Sequence, residues 1–434
     1  MTVVLNSENI HVQIPPRSPE FQRTDKERFT ILCPQMAPIH FALCSGIFRQ
    51  CGYNVVVLPT INRETIEEGL RYVNNDVCYP AIIVVGQLIQ ALKSGRYDPA
   101  RTALLISQTC GGCRSTNYAT FLKIAVNKAG FPDVPVIPFQ VNFTNDNNKG
   151  LFLPLFALKK LFLAFLYGDL LMNLANRCRP YEKNRGEVDV LVQVWVEKLQ
   201  TEIMTNKYGN VSKTASVIVN DFDALDLQTE CKPKVGIVGE ILVKYHPGAN
   251  NNLVSLIEQE GGEAVVPNIL DFALYCLTSG DHCKRFAPVS FLSMLKSRIA
   301  VWFIERQRDK VRKVLRQHKR FSSFGNIHHL AEQAKRFVSI CNQTGEGWLL
   351  TGEMAELLEE ETLNIICVQP FGCLPNHITG KGVMKELRSH YCGANISTLD
   401  YDPGATEVNQ LNRIKLLMAT ALRRNSFNGK STNK

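Results

Sequence analysis

The patterning of this chain predicts an α/β protein: two doubly wound parallel-sheet domains with a helical insertion. Three observations carry that expectation. Short apolar strands alternate with helices over residues 28–144 and again over 232–422, the rhythm of βα units around a parallel sheet. With 434 residues the chain is too long for one ordinary core, so at least two domains are expected. Between the two halves, residues 145–231 lose the strand signal and read as helical.

Residues 1–27 are a polar, proline-interrupted extension without the apolar stretch of an export signal. "RFTILCP" then reads as a strand, "HFALCSGIFRQCG" as a helix closed by glycine, "YNVVVLP" as a strand and "TIEEGLRYV" as a helix. "NNDVCYP" interrupts, and "AIIVVGQLIQALKSG" resumes as a helix ending at Gly95. "TALLISQ", "NYATFLKIAVNKAG" and "VPVIPF" complete the half as strand, helix and strand. In the second half "KVGIVGE" opens a new unit, followed by "NNLVSLIEQEGG", "EAVVPN" and a helical insertion at about 280–345. "NIICVQP", "GVMKELRSHY", "NISTLDYD" and the helix "VNQLNRIKLLMATAL" follow, and 423–434 is a polar tail.

Composition excludes several classes. The most apolar stretch, 151–175, contains Lys159, Lys160 and Asp169, whereas a membrane span needs about 20 nearly uncharged residues. It reads as a buried helix or hairpin, and the chain is expected in the cytoplasm with no membrane partner. The formal charge of +9 is modest. The basic run 306–320 carries few aromatic residues to stack bases, so it reads as a solvated helix face and no nucleic-acid partner is expected. "KVGIVGE" lacks the GxGxxG fingerprint and "TGKG" lacks the phosphate loop, so nucleotide hydrolysis is not expected of this chain.

Fourteen cysteines in a chain without an export signal read as core residues, metal ligands or redox thiols rather than a disulfide framework. Cys44, Cys51, Cys276, Cys283, Cys341 and Cys367 lie in apolar surroundings, as small hydrophobes do. Cys78, Cys113 and Cys373 differ. Each sits in a loop rich in glycine, proline or asparagine, just before a helix, and two of them follow a strand. Open α/β sheets place ligands beyond the carboxyl ends of their strands, and helix N-termini there favour thiolates. That distribution suits a site gripped between two domains. Spacing alone leaves three chemistries open: an iron–sulfur cluster, a redox or structural "CGGC" thiol pair, and zinc, which usually takes two close ligand pairs.

Five segments, "CPQMAPIHF", "YVNNDVCYPA", "QTCGGCRSTNY", "GIVGEILVKYHPGANN" and "QPFGCLPNHITGKGVMKELR…DYDPGATEVNQLNRIKLL", resemble the 2-hydroxyacyl-CoA dehydratase family. The likeness is to the branch associated with, and often fused to, the ATP-dependent acyl-CoA dehydratase activator. It implies two Rossmann-like domains that hold an iron–sulfur cluster, usually 4Fe-4S, through three cysteines, here Cys78, Cys113 and Cys373. Cys110 departs from the family pattern, which has glycine there, and Cys33 is a second conceivable extra ligand. The resemblance also implies a partner: a dimeric ATPase with its own iron–sulfur cluster, which drives one low-potential electron onto this one for radical dehydration or reduction of an acyl-CoA-type substrate. A second dehydratase-type subunit or a homodimer is a further expected partner. The implied enzyme is an oxygen-sensitive lyase or iron–sulfur reductase. The alternatives are a non-catalytic cluster carrier serving the activator, and a thiol-redox or zinc protein. Glu240, Lys244 and His246 are candidate catalytic residues because they follow a strand on the cleft side. Asn74, Asn75, Arg114 and His377 flank the matched cysteines and are candidates for hydrogen bonds to sulfur or substrate.

Overall fold

A computed structural model describes residues 19–74, 77–109, 112–139, 150–207, 209–282 and 290–431. Its first half contains β1 (Thr30–Cys33), β2 (Asn54–Val57), β3 (Thr102–Ser107) and β4 (Val136–Phe139), ordered β2-β1-β3-β4. The second half contains β5 (Lys234–Gly239), β6 (Glu263–Val265), β7 (Asn364–Pro370) and β8 (Asn395–Tyr401), ordered β6-β5-β7-β8. Every pairing is parallel. The two sheets thus share one winding, and the fold is the two-domain, Rossmann-like α/β architecture that the alternating pattern predicts.

The central strands β3 and β7 are covered on both faces, which is why "TALLIS" and "NIICVQP" are near-continuous apolar runs. Flanking helices start where the local chemistry allows. Pro38 and Pro80 occupy first-turn positions of Pro38–Gln50 and Tyr79–Lys93, where a missing N–H costs nothing. The Asn62 side chain accepts the Thr65 amide at 3.0 Å and caps Arg63–Tyr72.

Between the halves, Leu155–Cys178, Glu187–Met204 and Val211–Asp223 form a helical layer. The most apolar stretch forms one long helix, not a hairpin; Lys159 is exposed, and the two buried charges, Lys160 and Asp169, are satisfied internally. Lys160 Nζ donates to Gln50 Oε1 at 2.6 Å. The Asp169 carboxylate accepts the Ile269 and Leu270 amides at 2.8 and 3.1 Å and lies 3.0 Å from His40 Nε2. Among the described residues, no helix is long and apolar enough to cross a membrane.

Two expectations need correction. The basic run 306–320 is not simply a solvated face: Arg308 is fully buried, paired with Asp271 at 2.5 Å and Glu305 at 3.0 Å, and Arg312 reaches Glu305 at 2.6 Å. Residues 423–431 of the polar tail continue the last helix, Glu407–Ser431, and 432–434 lie outside the described residues.

In each sheet the first and third strands are neighbours whose connections leave in opposite directions. That arrangement opens a crevice at their carboxyl ends. The crevices of the two domains face a common space.

Candidate functional site

That space is a cavity of about 1680 Å³, lined by both domains and by the helical layer. Cys78, Cys113 and Cys373 all line it, as do Cys33, Arg114, His377, Glu240 and Glu346. Cys78 is the residue immediately before the helix Tyr79–Lys93. Cys113 follows β3 and precedes a short 3₁₀ turn, Arg114–Asn117. Cys373 follows β7 and precedes a single π-helical turn, Asn376–Gly380.

Two glycines let the halves meet. Gly372 has φ +72°, and a Cβ there would lie 2.5 Å from Arg114 Nη1 and 3.2 Å from the Cys78 Cα. Gly345 has φ +58°, and its Cβ would strike Pro375 at 2.6 Å and stand 3.9 Å from Cys113 Sγ. Both positions need a residue that tolerates the left-handed region and brings no side chain.

Each sulfur has polar company. Cys78 Sγ lies 2.9 Å from the Tyr118 hydroxyl, Asn376 Nδ2 donates to Cys373 Sγ at 3.1 Å, and Ser115 hydrogen-bonds Cys113 through its hydroxyl and amide. Burial nevertheless pushes Cys78 up to about 11. Burial, then the charges of Glu346 and Glu240, raises Cys113 and Cys373 as well. The thiolate-favouring effect expected of helix N-termini is therefore outweighed by desolvation and by two carboxyl groups. Thiolate ligation at neutral pH requires the counter-charge of bound metal.

Among the described residues, no three His, Cys, Asp or Glu side chains converge closely enough to hold a metal ion. The ligands of a cluster are spread over several irons, so their sulfurs need not converge on one point as ligands of a single ion do. Three cysteines around one cavity, with hydroxyl and amide donors at their sulfurs, fit that kind of group in donor chemistry.

The carboxyl pair is the part that sequence reasoning half missed. Glu240 follows β5 and accepts the Val243 amide at 2.8 Å. Glu346, outside the sequence reading, accepts the Ile241 amide at 3.0 Å, so the two acids are tied to one short helix. Burial and the charge of Glu346 hold Glu240 well above the usual carboxylate range, and burial raises Glu346 too. A signal for Glu346 existed. It stands immediately before the last helix preceding β7, the place that Cys78 holds before β3. Cys33 is the last residue of β1 and Glu240 follows the last residue of β5, while Cys113 and Cys373 lie in the loops after β3 and β7. Among the described residues, the first half thus lines the cavity with four thiols, Cys33, Cys44, Cys78 and Cys113, and the second with Cys373 and the carboxyls of Glu240 and Glu346.

The remaining candidates are scattered. Lys244 is buried against Glu353 at 2.8 Å and does not line the cavity. His246 is fully buried. Its Nδ1 accepts the Ala249 amide at 3.2 Å, and it too lies off the cavity. Asn74 accepts the Val77 amide through its carbonyl at 3.0 Å in the turn leading to Cys78. His377 is hydrogen-bonded to Gln369, 2.6 Å away through Nδ1. Cys33, raised to about 12 by burial, has Cys44 as an interacting thiol neighbour. Asn75, Cys110 and Cys283 lie outside the described residues.

Residues 39–98 match the family model described as CoA enzyme activase uncharacterised domain (DUF2229). The match runs from the first helix to just beyond Tyr79–Lys93 and includes Cys78. No curated protein matches the chain. Among solved structures, a proposed phosphosugar isomerase from Silicibacter pomeroyi DSS-3 is similar at 10% identity and TM-score 0.19, over 78% of this chain and 88% of that one. A likeness at that level carries no argument. Fold and match together define an α/β protein with an activase-related segment.

Proposed function

We propose that the chain is an iron–sulfur protein of the 2-hydroxyacyl-CoA dehydratase type, served by an ATP-dependent activator. One observation carries this reading. Cys78, Cys113 and Cys373, from both domains and from strand and helix termini, line a single interdomain cavity. The activase-related match around Cys78 supports it. A cluster held by these thiols would supply one-electron chemistry to an acyl-type substrate. The protein's own groups supply the rest: Tyr118, Ser115 and Asn376 hydrogen-bond the sulfurs. The Glu240–Glu346 pair, facing the thiols, can hold a proton at neutral pH and deliver it to a leaving oxygen. The size of the cavity favours a catalytic role over that of an electron carrier, which needs no substrate space.

Anaerobic purification followed by iron, zinc and acid-labile sulfide analysis tests the proposal. Iron and sulfide together, with turnover of a 2-hydroxyacyl-CoA thioester in the presence of activator, ATP and reductant, are expected. Near-stoichiometric zinc without sulfide would overturn it.

A further inference from the structure

Beyond the thiols, the cavity extends into the helical layer. There its wall includes Phe41, Leu158, Phe162, Phe165, Phe272 and Leu277, drawn from three helices. No Asp, Glu, Lys, Arg or His of these helices lines it, and Cys44 is the one thiol they contribute. Polar lining groups gather instead near the thiols and carboxyls, and in the segment Gln22–Thr24, where Arg23 stacks over Phe152 at 4.6 Å. The volume of about 1680 Å³ exceeds the ~300–1,000 Å³ usual for a small-molecule site.

The apolar wall also reaches the surface. Phe162 packs against Phe303 with ring centroids 5.9 Å apart, and Phe303 and its neighbour Trp302 are 39% and 59% exposed. Phe152, which lines the cavity, is 54% exposed. Exposed aromatics continuous with an internal apolar space are a route for an apolar molecule rather than ordinary surface.

We infer that the cavity accommodates a long, unbranched acyl chain, with its carboxyl or thioester end at the thiols and its methylenes among the phenylalanines. A peptide segment in the same space would bury amides against a wall with few partners for them. A short or hydrophilic acyl group would leave the apolar arm unfilled. The inference deepens the proposed reading and rests on it only for the chemistry at the thiol end.

Calorimetric titration of the purified protein with octanoate, dodecanoate and hexadecanoate, and with their coenzyme A thioesters, tests this. Affinity should rise about three- to fourfold for each added methylene. A steeper gain with the thioesters would identify the thioester as the source of the chain, and equal gains the free acid. Ala273 lines the cavity, and Ala273→Phe or Leu158→Trp, which shorten the arm, should weaken hexadecanoate at least tenfold and octanoate far less. Iron and sulfide content, measured on the same samples, should not move. Equal affinity for octanoate and hexadecanoate would overturn the inference, as would indifference to both filling variants in protein with an unchanged circular-dichroism spectrum. Either result leaves the metal analysis, and hence the cluster reading, to stand or fall separately.

Discussion

The Tyr79 amide of the first domain donates to the Phe371 carbonyl of the second at 3.1 Å. This one bond sets Cys78 beside the loop that carries Cys373, because each cysteine is within two residues of the bonded pair. The Phe371 amide in turn donates to Tyr401 at the end of β8, 2.7 Å away, so the loop is fixed to the second sheet. Gly372 stands at the closest approach. Gly372→Ala should cost about 1–3 kcal/mol, measured by denaturant unfolding, and should lower the iron retained after anaerobic reconstitution. Unchanged iron content would show that the junction does not govern the site.

On the proposed reading, loss of any one of the three thiolates should release most of the iron and sulfide. Cys78→Ala, Cys113→Ala and Cys373→Ala are each expected to lose the majority of iron and sulfide, and Cys110→Ala much less. Equal losses for Cys110→Ala and Cys113→Ala would instead show "CGGC" acting as a unit.

His377→Ala should retain iron and alter the electron paramagnetic resonance of the reduced protein only mildly, since His377 is engaged with Gln369. Iron loss as large as that of Cys373→Ala would make His377 a ligand.

The carboxyl pair should control thiol reactivity. Glu346→Gln removes a negative charge that raises Cys113 and Cys373. Alkylation of the metal-free protein by iodoacetamide should then set in at lower pH. An unshifted alkylation profile would show that the carboxyl does not act on the sulfurs.

Buried acids give the fold a pH dependence of definite sign. Burial pushes Glu356 up to about 9 from 4.5, so the native state holds a proton that the unfolded chain has released. Its contribution is complete below pH 4.5 and is lost as pH rises through about 9. Glu353, raised to about 7 by burial, acts in the same direction. His246 opposes both: burial lowers it to about 4 from 6.5, so its penalty grows as pH falls below 6.5. Above pH 6.5 only the acids' effect remains, and unfolding free energy should fall by about 1.4 kcal/mol per pH unit for each fully differing group. Glu356→Gln should flatten that slope. Separately, Lys244→Ala, which strands Glu353, should cost about 3–5 kcal/mol, whereas Lys244→Met combined with Glu353→Leu should be near neutral.

Much of this was legible in the sequence for a physical reason. Parallel strands buried on both faces leave unmistakable apolar runs, and their carboxyl ends mark where loop cysteines gather, which is how Cys78, Cys113 and Cys373 stood out. Lys244 and His246 satisfy the same rule and do not reach the cavity. A five-residue helix, Ile241–Tyr245, has no readable periodicity to say which face turns inward. Glu346 was hidden behind three helices inserted between β6 and its own helix. The apolar arm could not be read at all, because a cavity is the space that several helix faces fail to fill, and no one segment records it.

The placement of Cys33, Cys78 and Cys113 in one half and of Glu240, Glu346 and Cys373 in the other gives the cavity a direction. Two matched halves bearing the same three groups would present the same surroundings to a molecule entering either way round. Here they differ: sulfur predominates on one side, and Glu240 and Glu346 stand with Cys373 on the other. On the proposed reading, the thiols of both halves would hold the electron source while the Glu240–Glu346 pair of the second half alone holds the proton, so a bound molecule would meet the proton donor from one side only.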